Sequence, residues 1–144
     1  MKNNASISII GGYDELSKSL FKTLKKQYKS TIFINLISKH YRDKNLYNLK
    51  IFELKKIFEL LKLNNVKDII FLGKIVRPDL SNFKNDGIVE HYIPKFLEAY
   101  KKGDGAVLDT VLDIFKKHNF RAVSPFKYCD NLCLSNSDVL NKYK

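Results

Sequence analysis

Residues 66–80 read VKDIIFLGKIVRPDL. Within Val66–Leu72 the run from Ile69 to Leu72 is apolar, and with Val66 it has the β-branched composition of a strand buried on both faces. Gly73 closes it, and Lys74, Arg77, Pro78 and Asp79 follow in quick succession. Strands buried on both faces belong to parallel sheets, and open parallel sheets bind ligands beyond the carboxyl ends of their strands. Lys74 and Arg77 stand at such an end, where they suit phosphate oxygens. Pro78 stiffens the loop, and Asp79 can orient Arg77 or help to hold a divalent metal. A surface Arg–Asp pair bracing a loop, a contribution of ~0.2–1 kcal/mol, explains the same residues.

Upstream, ASISIIGG (5–12) is a second apolar run, ending in Gly11 and Gly12. Leu16, Leu20, Leu24 and Tyr28 then recur every four residues, which predicts a helix over 14–29 with Asp14 as its N-cap. STIFINLI (30–37) predicts a buried strand, 38–48 a polar loop, and 49–54 a short strand. Leu54, Ile57, Phe58 and Leu61 mark a helix that stops at Asn64–Asn65. Downstream of Asp79 the chain reads as a loop to Tyr92. A short helix over 93–103 has Pro94 in its first turn and Gly103 at its end. A longer helix over 104–120 follows, capped by Asp104, and 120–123 form a last short strand. Strands alternating with amphipathic helices predict an α/β fold: a Rossmann-like open, mostly parallel sheet with helices on both faces, in a single domain over residues 1–123. Residues 124–144 read as a linker or tail.

The chain has 144 residues, a net charge of +11 and 44% hydrophobic residues, enough for a substantial core. No apolar run approaches the ~20 residues of a membrane helix, and the apolar start is too short for a signal peptide, so a cytoplasmic chain is expected. The charge suits an anionic partner, but the cations are 23 Lys and 3 Arg spread along the chain, which a Lys-biased composition also produces. Cys129 and Cys133 have no further ligands beside them and read as idle thiols. His40, His91 and His118 stand among polar neighbours and read as solvated.

Two more loops belong with the first. Gly11 and Gly12 precede a helix and would let backbone N–H groups approach a phosphate, though a tight strand-to-helix turn explains them equally. Gly103, Asp104 and Gly105 open the longest helix, where capping and anion binding compete as explanations. No nucleophile–base pair can be read, so catalytic residues are assigned to none of these positions.

FLGKIVRPDL, followed by AYKKGDGAVLDTVLDIFKKHNF and preceded by IIGGYDEL and FELKKIFELLKLNNVKDIIF, resembles the N-terminal half of the LpxI family. That family comprises the UDP-2,3-diacylglucosamine diphosphatases (pyrophosphatases) of lipid A biosynthesis. The resemblance spans roughly residues 5–128. It departs from the family pattern at Tyr13 to Leu16, where a Leu-Pro is usual, and at Gly105, where a second acid is usual. It implies hydrolysis of a diphosphate to UMP and 2,3-diacylglucosamine 1-phosphate, assisted by Mg²⁺. It also implies a substrate-binding role for Gly11, Gly12, Gly73, Lys74, Arg77, Asp79, Gly103, Asp104 and Gly105.

Members of that family carry a second domain after the linker, and the acidic residue tied to catalysis lies there. The resemblance therefore implies a missing C-terminal domain supplied in cis or in trans, and metal ligands outside this chain. It implies a UDP-linked acylated glucosamine as substrate, and peripheral contact with the inner membrane surface through that substrate. A homodimer stays open. The rival readings are a stand-alone nucleotide- or anion-binding module without catalysis, and nonspecific nucleic-acid binding. The latter lacks any recognisable motif, so no specific nucleic acid is expected.

Overall fold

A computed structural model of the chain describes residues 3–37, 39–72 and 84–125. Five strands and four helices follow one another in the order β1 (Asn3–Gly11), α1 (Glu15–Gln27), β2 (Tyr28–Asn35), β3 (Leu46–Asn48), α2 (Leu54–Leu63), β4 (Val66–Leu72), α3 (Ile93–Lys102), α4 (Asp104–Lys117) and β5 (Arg121–Ala122). A 3₁₀ turn at Val89–His91 precedes α3. The strands form one open sheet in the order β3-β2-β1-β4-β5, and every pairing is parallel. The expected open α/β fold is thus observed. Its two outermost strands are three and two residues long.

The pleat sends alternate side chains to opposite faces, and the chain fills both. Ile7, Ile9, Phe33, Ile70 and Leu72 meet Leu20, Phe21 and Leu24 of α1 on one face. Ile10, Ile32, Ile34, Ile69 and Phe71 meet α2, α3 and α4 on the other, through Ile57, Phe58, Phe96, Val111 and Phe115. The strand order explains this division. Right-handed crossovers that step outward from β1 to β2 and then back across to β4 must place their helices on opposite faces.

Four details differ from expectation. The first helix ends at Gln27, because Tyr28 already pairs with Asn3 as the start of β2. Tyr28 is buried all the same, so the four-residue spacing ran on past the end of the helix. The short strand lies at Leu46–Asn48, inside the presumed loop, rather than within 49–54. Gly103, with φ 117°, is the N-cap of α4, and Asp104 occupies its first turn. His118 is not a solvated side chain: its ring stacks on Phe58 at 4.3 Å, and its Nε2 lies 3.0 Å from the Tyr92 hydroxyl. Asp14 caps α1 as expected, accepting from the Ser17 backbone at 2.9 Å while Asp14 N–H donates to Ser17 Oγ. The α2 stop is also as expected, with Asn65 in the left-handed region.

Candidate functional site at the strand ends

The sheet changes direction between β1 and β4, where the next strands on either side are reached by crossovers of opposite sense. Open α/β sheets bind ligands beside such a point, outside the carboxyl ends of the strands. Here that place lies at Gly11, which pairs with Leu72. A Cβ on Gly11 would fall 1.8 Å from the Leu72 carbonyl oxygen, so no side chain fits between the two strand ends. Close strand packing alone therefore requires this glycine. Gly12 follows, buried, and its carbonyl accepts from Asp14 N–H at 3.0 Å and from the Ser17 hydroxyl at 2.6 Å. These bonds fold the chain tightly into α1. The Asp14 carboxylate already occupies the Ser17 N–H, so the donors of the first turn of α1 are in part taken.

A polar network that the sequence did not suggest holds the neighbouring rim. Asn35, fully buried at the end of β2, accepts from Tyr13 N–H at 3.3 Å. Its amide nitrogen donates to the Lys39 carbonyl at 2.9 Å and to Asn48 Oδ1 at 2.8 Å. Asn48, at the end of β3, donates in turn to the Tyr41 carbonyl and accepts from Tyr41 N–H. Burying an amide is tolerated only when its donors and acceptors are met, and here two asparagines satisfy one another and the 39–41 backbone. The turn after β1 and the ends of β2 and β3 thus become one fixed piece. A polar residue closing an apolar strand, as in IFIN (32–35), was the signal available in the sequence.

Tyr13 sits on this rim with 9% of its surface exposed. Its ring meets Phe33 and Tyr41 edge-on, each at 5.0 Å, and its hydroxyl donates to Asp43 at 2.6 Å. Burial, and then the bond to the Asp43 carboxylate and its charge, push the phenol up to about 12. Asp43 is held below the ordinary carboxylate range, first by the Tyr13 hydrogen bond and also by Lys44 N–H, Lys25 and Lys22. Lys18 Nζ lies over both the Tyr13 and Tyr41 rings, at 5.2 and 5.3 Å, and Lys39 over Tyr41 at 5.2 Å. Cations and ring faces of this kind attract one another, and together they make an electropositive, aromatic shoulder beside the strand ends.

The third loop opens α4 as the sequence suggested. Gly103 needs its glycine for its positive φ, whereas a Cβ on Gly105 would meet nothing within 4 Å. Gly73, Lys74, Arg77 and Asp79 lie outside the described residues, as do Cys129 and Cys133. Arg121 forks onto Asp68 with two bonds of 2.9 Å at the opposite, amino end of the sheet, far from the strand-end role. Among the described residues no three His, Cys, Asp or Glu side chains come together as metal ligands. No described helix is long and apolar enough to cross a membrane.

A family model, the LpxI N-terminal domain, matches residues 6–132. The chain belongs to the LpxI N-terminal domain family. That match takes in β1 from Ser6 onward with its glycine turn, β4 with the residues that follow it, and α4. A curated relative, UDP-2,3-diacylglucosamine pyrophosphatase LpxI of Caulobacter vibrioides, is 37% identical over 68 residues. The shared stretch makes up 47% of this chain and 24% of the relative. This LpxI N-terminal domain therefore aligns with about a quarter of that enzyme.

Proposed function

We propose that this LpxI N-terminal domain serves the hydrolysis of the diphosphate of UDP-2,3-diacylglucosamine, yielding UMP and 2,3-diacylglucosamine 1-phosphate. The observation that carries the reading is the family match, whose bounds enclose the paired ends of β1 and β4 and the residues that follow them. In this reading the nucleotide diphosphate binds beside Gly11 and Gly12, and Lys74, Arg77 and Asp79, which follow β4 in the sequence, are assigned to its recognition. The N-terminal turn of α4 at Gly103, Asp104 and Gly105 borders the same crevice, because helices that return between parallel strands begin at the carboxyl end of the sheet. The Asn35–Asn48 network keeps that crevice in a fixed shape, which saves ordering cost when the ligand binds.

Magnesium would neutralise phosphate charge during the reaction. Following the family resemblance, this reading places its ligands, and the acid needed for turnover, in a C-terminal domain supplied in cis or in trans.

Two measurements test this. UDP titrated into the 144-residue chain by calorimetry is expected to bind, and Arg77→Ala is expected to weaken it about tenfold or more, the loss of a charge-assisted pair. Unchanged binding removes Arg77 from the site, and no binding at all overturns the reading. Release of UMP from the diacylated substrate is then followed with the chain alone and with a C-terminal LpxI domain added. Binding without release under both conditions leaves the second reading, a nucleotide-binding module without turnover.

A further inference from the structure

The net positive charge is unevenly placed. Residues 14–50, which form α1, β2, β3 and their connections, hold nine Lys or Arg against three acids, a net of +6. The described stretches 53–72 and 84–117, which form α2, β4, α3 and α4, hold ten against nine, a net of +1. A Lys-rich composition would load both parts alike, so composition does not account for the difference.

On α1 the cations also have an order. Lys18, Lys22, Lys25 and Lys26 of α1 lie away from the buried stripe of Ser17, Leu20, Phe21 and Leu24, and exposed Lys29 follows at the start of β2. The 39–44 segment lies alongside them: Lys25 Nζ is 3.8 Å from Asp43, Lys22 acts on the same carboxylate, and Lys18 covers Tyr41. Lys39 and Lys44 are exposed there and widen the patch. Of the three acids, Asp14 caps α1, Glu15 lies 3.7 Å from Lys18 and Asp43 accepts from the Tyr13 hydroxyl, and their charges are included in the net of +6.

We infer that the outer face of α1, with the 39–44 segment, is a docking surface for an anionic lipid bilayer. Charge complementarity selects the occupant. Apart from Arg42 the patch is made of lysines, which act as point charges on a diffuse negative surface. Single-stranded RNA is held instead by a charged groove with exposed ring faces for base stacking; here Tyr13 and Phe21 are buried, and the half-buried Tyr41 ring is covered by Lys18 and Lys39. The inference rests on the acylated substrate proposed above, because a lipid substrate is met at a membrane surface. Docking through α1 also leaves the opposite face of the sheet free.

The test is co-sedimentation of the 144-residue chain with phosphatidylcholine vesicles, with and without phosphatidylglycerol. Binding is expected only to the anionic vesicles, and added salt is expected to abolish it. Lys22→Glu, Lys26→Glu and Lys29→Glu together are expected to weaken partition at least about tenfold. The charge-matched control, Lys56→Glu, Lys101→Glu and Lys102→Glu on the other face, is expected to change it about twofold or less. Replacing the first three by Gln gives a milder version should the reversals disturb folding, as judged by circular dichroism.

No preference for anionic vesicles, or equal losses in both triple variants, overturns the inference. So does tighter binding of a single-stranded RNA oligomer through the same three lysines. The vesicles contain no substrate, so failure here leaves the substrate reading standing, while failure of UDP to bind does not touch the vesicle result.

Discussion

The two faces of the sheet are built to different plans. Among the described residues, one is covered by a single helix, α1, whose core contacts are Leu20, Phe21 and Leu24 with Tyr13 and Tyr28 at its ends. The other carries three helices and a larger cluster, knit by a run of rings in which Phe58 contacts Phe115, Phe120 and His118, and Phe115 contacts Phe71. The thin face supplies the rim of the candidate site and most of the positive charge. The thick face supplies much of the packing. A domain can leave one side thin and polar at its margin when the other side holds the strands together.

The largest expected effects test that division directly. Phe115→Ala on the thick face is expected to cost ~3–5 kcal/mol in urea unfolding. Phe21→Ala on the thin face is expected to cost about 1 kcal/mol less, because its only described ring partner in that core is Phe33 at 5.4 Å. Equal costs would erase the contrast. Next in size is Asn35→Leu, expected to cost ~1–3 kcal/mol by leaving Tyr13 N–H and Asn48 short of partners. It is also expected to weaken UDP binding, whereas Phe115→Ala at the same residual stability is not; the opposite ranking would detach the rim from the site.

The faces are also expected to respond to opposite ends of the pH scale. Burial first, and then Lys62, lower the His118 pKa below 6.5. A depressed value means the unfolded chain takes up the proton more readily, so stability present above about pH 6.5 is lost as pH falls through the folded value. His118→Phe is expected to remove the part of that loss that occurs above the carboxylate range. Tyr13 is shifted the other way, to about 12 from 10.0. Its contribution is present below about pH 10 and is lost as pH rises toward 12. Tyr13→Phe is expected to flatten the alkaline limb and, by removing the bond that holds Asp43 low, to soften the loss in the carboxylate range while leaving the His118 step alone, which urea midpoints across pH would show.

The smallest effect should be a gain. The Thr31 hydroxyl is buried on β2 without a hydrogen-bond partner, so Thr31→Val is expected to be neutral or to stabilise by up to about 1 kcal/mol. A clear loss would mean the hydroxyl is satisfied after all.

The sheet was legible because its central strands are dense apolar runs bounded by glycine or asparagine, and β1, β2 and β4 stand where those runs predicted. β3 was not, since three residues among polar neighbours give no pattern and the strand is fixed by pairing with β2 and by the Asn35–Asn48 bond. Nor was the end of α1, where Tyr28 is buried in a helical reading and in a strand alike. His118 looked solvated beside Lys117 and Asn119, but its ring is placed by Phe58 and Tyr92, many residues away in sequence. The glycines of the candidate site were visible, but the physical demand behind Gly11, the nearby Leu72 carbonyl, was not. Spacing along the chain reports local periodicity, whereas such demands arise from residues brought together only by folding.

The short outer strands carry a consequence of their own. With β3 three residues long and β5 two, each edge strand itself presents only a few peptide groups on which another strand could grow. Long-range repulsion from a net charge of +11 acts in the same direction, keeping copies apart. Colloidally, the folded domain is a self-limiting particle. Its dense apolar runs endanger solubility only while the chain is unfolded, when the same segments lie open to one another.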